Sequence, residues 1–355
     1  MKIAQTMNQL PFKFSLASEL KHLEDHKNLT LVNVGNTAAK TYILAEVLKA
    51  TPYKNVFWGT EDEKADQLRP CAELWFEPHH VFTIPAKFDF KHFYELKNHL
   101  NTQIPTLFLF EDLNEFLEQK LPTEKDLAGN TVHLHSGKSI KIYEVFEKLE
   151  RMGYSPAEDK QLVPGQFLRT GENLFIYPLN ENKAFRVELF GDEIENIEGW
   201  DALTAKPIGK PVKTLAISPV VFETKDLNGT LVDWLNKTDD TLFVSDDLDK
   251  KICPVGNFSK IRFTTFPEND EVFFHLNFFS VLPFYTVPDF VVDVKERLRR
   301  DFNIVIVTKK FDEVVGICKE HEIMFTEDIT EVAQSTVNIV NLDKHGFVPH
   351  SFQNN

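Results

Sequence analysis

Lys40 and Thr41 are the residue pair best suited to chemistry. They close the segment VGNTAAKT (34–41), which follows an apolar run at 28–34 and precedes a helical one at 41–50. A phosphate-binding loop, GxxxxGK[ST], uses glycines so that backbone N–H groups can close on phosphate. Its Lys and Ser/Thr then handle phosphate oxygens and magnesium. Here Val34 and Ala39 stand at the two glycine positions, and Gly35 is one residue out of register. Side chains fill the space that phosphate needs, so the segment reads as a degenerate phosphate loop without nucleotide hydrolysis. Glu111-Asp112, after the apolar run 106–110, is only suggestive of an acidic magnesium partner.

No other group has catalytic spacing. His79-His80 and His133-x-His135 are the close histidine pairs, and neither has a further ligand at a recurring distance, so no metal is expected. Cys71, Cys253 and Cys318 are isolated and odd in number, which suits a reducing cytoplasm. No nucleophile motif or cofactor motif is present, and no catalytic residue is assigned. The most basic stretch is KERLRR (295–300) with Lys309-Lys310, a pattern usual for a solvated helix face. The chain carries 39 basic and 54 acidic residues, a net charge of −15, which argues against nucleic acid as its main ligand. Protein partners fit that acidity better. No apolar run is long enough to span a membrane.

The elements that must position these residues follow two rhythms. With 355 residues, two or three domains are expected. From 28 to 119, apolar runs (28–34, 53–58, 81–84, 106–110) alternate with helical segments (41–50, 61–69, 90–100, 111–119), which predicts a parallel α/β sheet. Thr60 is placed to cap the helix at 61–69, and Pro70 to end or kink it. The pattern then changes to short strands around one helix (143–152) that Gly153 closes, an α+β insert bounded near 126 and 211. Apolar runs resume over 212–285, and a smaller α/β unit occupies 286–355. The expected division is 1–126, 127–211, 212–285 and 286–355.

Within the insert, residues 164–201 read PGQFLRTGENLFIYPLNENKAFRVELFGDEIENIEGWD. Residues 174–177, 184–190 and 193–198 alternate as strands, with Pro178 and Gly191-Asp192 as punctuation, which predicts a three-stranded antiparallel meander. Arg169 and Arg186 flank its hairpin, and Phe190 precedes the Gly-Asp turn. Arginine pairs with carboxylates through a planar fork, and arginine and aromatic residues are enriched at interface hot spots. The same spacing also fits an arginine on a solvated strand beside a core phenylalanine.

This insert resembles the UvrA-binding domain shared by UvrB and the transcription-repair coupling factor (Mfd). The family pattern runs L-x-x-x-G-Y, P-G-x-F, R-G, a strand ending in F-P, R-[IVL]-[ED]-F-F-[GD]-D-E-[IV]-[ED], then D-x-x-[TS]. Leu149, Gly153, Tyr154, Pro164, Gly165, Phe167, Gly171, Pro178, Arg186, Glu188, Phe190, Gly191, Asp192, Glu193, Ile194, Glu195, Asp201 and Thr204 match it. The flanking α/β segments are similar to a UvrB-like module with a P-loop NTPase-type sheet. The degenerate loop favours the coupling-factor branch, and 286–355 resembles the small domain that follows there. The resemblance implies UvrA as partner, with Arg186, Phe190 and Arg169 as contacts. Thr170 stands where the family's arginine precedes the glycine, so Arg169 takes that role only if the turn bulges. RNA polymerase and DNA would be reached only through domains outside this chain. A UvrB-like excinuclease subunit that binds ATP, and an inert remnant of a longer gene, are the alternatives.

Overall fold

The computed structural model describes residues 16–35, 37–60, 64–73, 75–76, 80–86, 89–100, 102, 104–235, 240–246, 258–280, 284–302, 304–308, 310–327, 335–341 and 352–354. The first elements are α1 (Ala17–His26), β1 (Asn28–Val34), α2 (Thr37–Ala50), β2 (Asn55–Gly59), α3 (Lys64–Ala72), β3 (Val81–Ile84), α4 (Phe90–His99), β4 (Thr106–Phe110) and α5 (Leu113–Glu118). The insert region holds α6 (Glu124–Asn130), β5 (Val132–His135), α7 (Ile142–Arg151), β6 (Ser155–Pro156), β7 (Gln166–Thr170), β8 (Asn173–Tyr177), β9 (Ala184–Phe190), β10 (Glu193–Asp201), β11 (Lys206–Ile208) and β12 (Thr214–Ile217). Then come α8 (Leu231–Leu235), β13 (Thr241–Ser245), β14 (Ser259–Thr264), β15 (Phe273–Ser280), α9 (Val287–Arg299), β16 (Ile304–Thr308), α10 (Phe311–Glu320), β17 (Phe325–Thr326), β18 (Val337–Asn341) and β19 (Phe352–Asn354).

The main sheet has the order β19-β15-β1-β14-β13-β2-β4-β3, parallel throughout except where β19 pairs antiparallel with β15. Its central strands are apolar on both faces, as a doubly covered parallel sheet requires. Val56, Trp58, Leu107, Leu109, Leu242 and Val244 pack towards α2 and α3, and the alternating Phe57, Phe108, Phe110 and Phe243 pack towards α4, α5 and α8. Phe57 stacks on Phe108 at 5.1 Å and lies 5.5 Å from Phe243, so one aromatic row runs across the strands. The terminal strand β19 returns to this sheet, so the unit expected at 286–355 does not hold all of its residues. The rest of that unit forms a separate parallel sheet, β16-β18-β17, cored with α9 and α10.

Three local differences from the sequence reading have physical reasons. Helix α3 runs through Pro70 to Ala72, because Leu68, Cys71 and Ala72 are all buried and packing outweighs the lost backbone bond. Its proposed start at 61–63 lies outside the described residues. Helix α6 was not anticipated, although Thr123 and Asp126 form a reciprocal capping box that signals it. The meander has a further strand, β7, within a six-stranded sheet ordered β11-β10-β9-β8-β7-β6.

Sheet and helix meet over one core, in which Ile142 and Leu149 of α7 pack on Leu174, Val187, Leu189 and Ile197. Gly153 ends α7 with φ 88°; its N–H bonds Glu150 O, and Tyr154 N–H bonds Leu149 O, a Schellman closure. A Cβ at Gly153 would stand 2.8 Å from Val221, so the residue also serves close packing.

The insert is joined to the main sheet through residues 216–219. Tyr154 Oη donates to Ser218 O at 2.7 Å and accepts from Leu179 N–H at 3.1 Å. Tyr94 Oη, from α4, donates to Pro219 O at 2.8 Å. Asn180 Nδ2 donates to Ala216 O, and its Oδ1 accepts from Ser218 N–H. Burial raises both phenol pKa values well above the usual range, so they remain donors. Tyr154→Phe strands a buried carbonyl and a part-buried N–H, and should lower the unfolding free energy by about 1–3 kcal/mol in urea titration.

Candidate protein-interaction face

Register decides which side chains share a face. Across β7 to β10, Thr170, Asn173, Glu188 and Asn196 lie opposite one another, and Leu168, Phe175, Arg186 and Glu198 form the next row. Phe190 stands two residues beyond Glu188, at the turn, and keeps 69% of its surface exposed. Both hairpins at this end are two-residue turns with a glycine first, Gly171-Glu172 and Gly191-Asp192, each glycine at φ 60°. That is the type II′ requirement. The second hairpin is braced from outside: Ile194 N–H bonds Lys138 O, and Ile140 N–H bonds Asp192 O. Phe190 is therefore a large apolar side chain presented on a held turn.

Arg186 and Phe190, singled out from sequence, share this face. Arg169 does not join them. The β7–β8 ladder is regular, with Arg169 opposite Leu174 and Thr170 opposite Asn173, and no bulge. A side-chain period of two then puts Thr170 on the Arg186 face and Arg169 on the other. There the Arg169 guanidinium lies over the Tyr143 and Phe146 rings of α7, at 5.6 and 5.8 Å.

Arg186 is already engaged. Glu198 lies 2.5 Å from one Nη, and Glu188 lies 3.7 Å from it. The Glu198 contact is ionic without hydrogen-bond alignment; Glu198 Oε1 and Arg186 Nε are buried and lack hydrogen-bond partners. Arg186 retains 26% of its side-chain surface and Glu198 retains 13%. The guanidinium also sits 5.8 Å from the Trp200 ring, and Trp200 packs edge-on to Phe175 at 4.8 Å. Sequence reasoning missed Glu198, because only the β9–β10 pairing brings it across from Arg186.

Lys40 and Thr41, expected from sequence to close a degenerate phosphate loop, are engaged by their own chain. Only residues 35 and 36 separate β1 from α2, so Lys40 already lies within the helix. Lys40 Nζ donates to both carboxylate oxygens of Asp246, just after β13, at 2.6 Å. Thr41 is fully buried and its hydroxyl donates to Ala38 O at 3.0 Å. Ala38 and Ala39 are buried too. Glu111 and Asp112 serve local structure, Glu111 accepting from Ala86 N–H and Asp112 capping α5. They follow β4, four strand spacings from β1, or about 19 Å.

The remaining polar candidates are also accounted for. His80 is buried, with Nδ1 3.2 Å from Thr106 Oγ1, and His79 lies outside the described residues. His133 and His135 are exposed with rings 6.4 Å apart. No group of three or more His, Cys, Asp or Glu suited to a metal occurs among the described residues. In the basic helix end, Arg297 pairs with Asp293 at 2.5 Å and Arg300 with Glu296. Lys310 pairs with Glu313, and Lys309 lies outside the described residues. Among the described residues, no helix is long and apolar enough to cross a membrane.

Asp246→Asn leaves Lys40 facing a weaker acceptor in a largely enclosed site, and should cost about 1–3 kcal/mol of stability in urea. Adding Lys40→Met should recover part of that loss. Titration of the unaltered chain with magnesium and ATP should give no saturable signal.

The family comparison falls on this insert. Residues 132–221 match the family described as the UvrB interaction domain. UvrABC system protein B of Thermotoga neapolitana is 34% identical over 101 residues, 28% of this chain and 15% of that protein. The protein of the same name from Methanosphaera stadtmanae is 38% identical over 79 residues, 22% of this chain and 12% of its own length. That of Thermotoga petrophila is 38% identical over 101 residues, with coverages of 28% and 15%. The chain thus spans well under two thirds of the relatives it matches. Over residues 132–221 it is similar to the UvrB interaction domain.

Proposed function

We propose that this chain docks UvrA through the β7–β10 face and so brings nucleotide excision repair to a site of damage. The observation that carries this reading is Phe190, an exposed aromatic on a braced type II′ hairpin beside Arg186, inside the matched domain. Exposed aromatic anchors ringed by polar groups are how a few residues come to dominate an interface. Phe190 would enter an apolar socket on UvrA, and Arg186 would meet a carboxylate at its rim.

We further favour a role like the N-terminal part of a transcription-repair coupling factor, with no ATPase in this segment. Its support is the loop closed by Lys40–Asp246 and the buried Thr41 hydroxyl. Contacts with RNA polymerase and DNA would belong to other domains of such a protein. The second reading is a UvrB-like subunit. The names of the similar proteins favour it, and the same closed loop opposes it. The division at 126, 211 and 285 is kept as a proposal.

Binding to UvrA encoded in the same genome tests the docking face. Phe190→Ala should weaken it about 30-fold or more. Thr170→Arg adds a guanidinium on the Arg186 face and should tighten it about tenfold. Arg169→Ala, on the opposite face, should change it by less than about twofold. Equal affinity of the unaltered chain and Phe190→Ala would refute the docking face.

A further inference from the structure

We infer that Glu198 is a specificity-determining residue of the docking face, an internal counter-ion that holds Arg186 away from an acidic partner. This inference rests on the UvrA-docking reading and adds a control on its strength.

The argument starts from charge. Residues 164–201 contain three basic and eight acidic residues. Of the three, Arg169 is on the α7 side, and Lys183 lies 5.4 Å from the ring of Phe185, a core-side residue. On the docking rows, Arg186 is thus the one basic strand residue, between Glu198 and Glu188. Lys160 reaches the lower part of this face from the preceding segment, 4.9 Å from the Phe175 ring.

A carboxylate arriving at Arg186 would be the third around one guanidinium. Its attraction to the arginine is offset by repulsion from two glutamates at comparable distance, and the offset grows as the interface excludes water. Glu188 is 40% exposed and can swing towards solvent, whereas Glu198 is 13% exposed and fixed opposite Arg186 across the strand pair. Glu198 is therefore the counter-ion that docking must displace or tolerate. It keeps Arg186 in place on Trp200 and at the same time weakens its call on an acidic partner.

Glutamine at this position preserves shape and a carbonyl acceptor while removing the competing charge. UvrA affinity would be measured for the unaltered chain, Glu198→Gln, Arg186→Gln with Glu198→Gln, and Phe190→Ala, each at low and high salt. Glu198→Gln should bind about tenfold tighter with a steeper salt dependence, and the added Arg186→Gln should cancel both changes. A merely structural role would leave the salt dependence unmoved. If Phe190→Ala weakens binding but Glu198→Gln is unchanged or weaker, the inference about Glu198 is overturned and the docking face stands. If neither the unaltered chain nor Glu198→Gln binds UvrA, the docking reading falls and takes this inference with it.

Discussion

The backbone crossings between the main sheet and the insert are fixed by hydrogen bonds on each side, and Tyr94 of α4 joins the two by donating to Pro219 O. On entry, Leu121 and Gly229 exchange both backbone bonds, and Trp234 Nε1 donates to Pro122 O at 2.9 Å. On exit, two buried tyrosines and Asn180 take up the polar groups of residues 216–219. Losing Tyr94, Tyr154 or Trp234 as a partner would leave a buried carbonyl unpaired, which costs more than the bond itself contributes. The insert is held to its scaffold, and a surface on its far strands is presented rather than left loose. Preorganisation of that kind lowers the ordering cost of association.

The proposed docking face then depends on parity. One residue separates Arg169 from Thr170, and that single step decides whether a guanidinium joins Arg186 or stacks on α7. The II′ turn at Gly171 fixes the step, since a two-residue loop with φ 60° at its first position allows no slack. The face consequently carries a lone strand arginine with two glutamates for company. Its apolar anchor and its charge are separate devices, Phe190 set by the hairpin brace and Arg186 set by cross-strand ion pairing.

Much of this architecture was legible in the sequence because its signals are local. Largely apolar runs such as TLFLF and NVFW announce strands buried on both faces, and Gly153 with Tyr154 announces the end of α7. The alternation of AFRVELF marked a strand of the meander and singled out Arg186 and Phe190, whose shared face the register then showed. What the sequence does not show is non-local. Asp246 lies 206 residues from Lys40, and no pattern along the chain links them. Glu198 is partnered by pairing, Arg169 is displaced by a turn type, and β19 returns to β15 across a whole domain. The Thr123–Asp126 capping box, by contrast, was a local signal for α6 that the apolar-run reading passed over.

Hydrogen exchange of the intact chain, with and without UvrA from the same genome, tests the central claim most directly. The account predicts slowed exchange concentrated at the Gly171 and Gly191 hairpins and along β9 and β10, with α2 and the segment around Lys40 unchanged. Protection centred on α2 and residues 34–41, with the two hairpins unaffected, would contradict it.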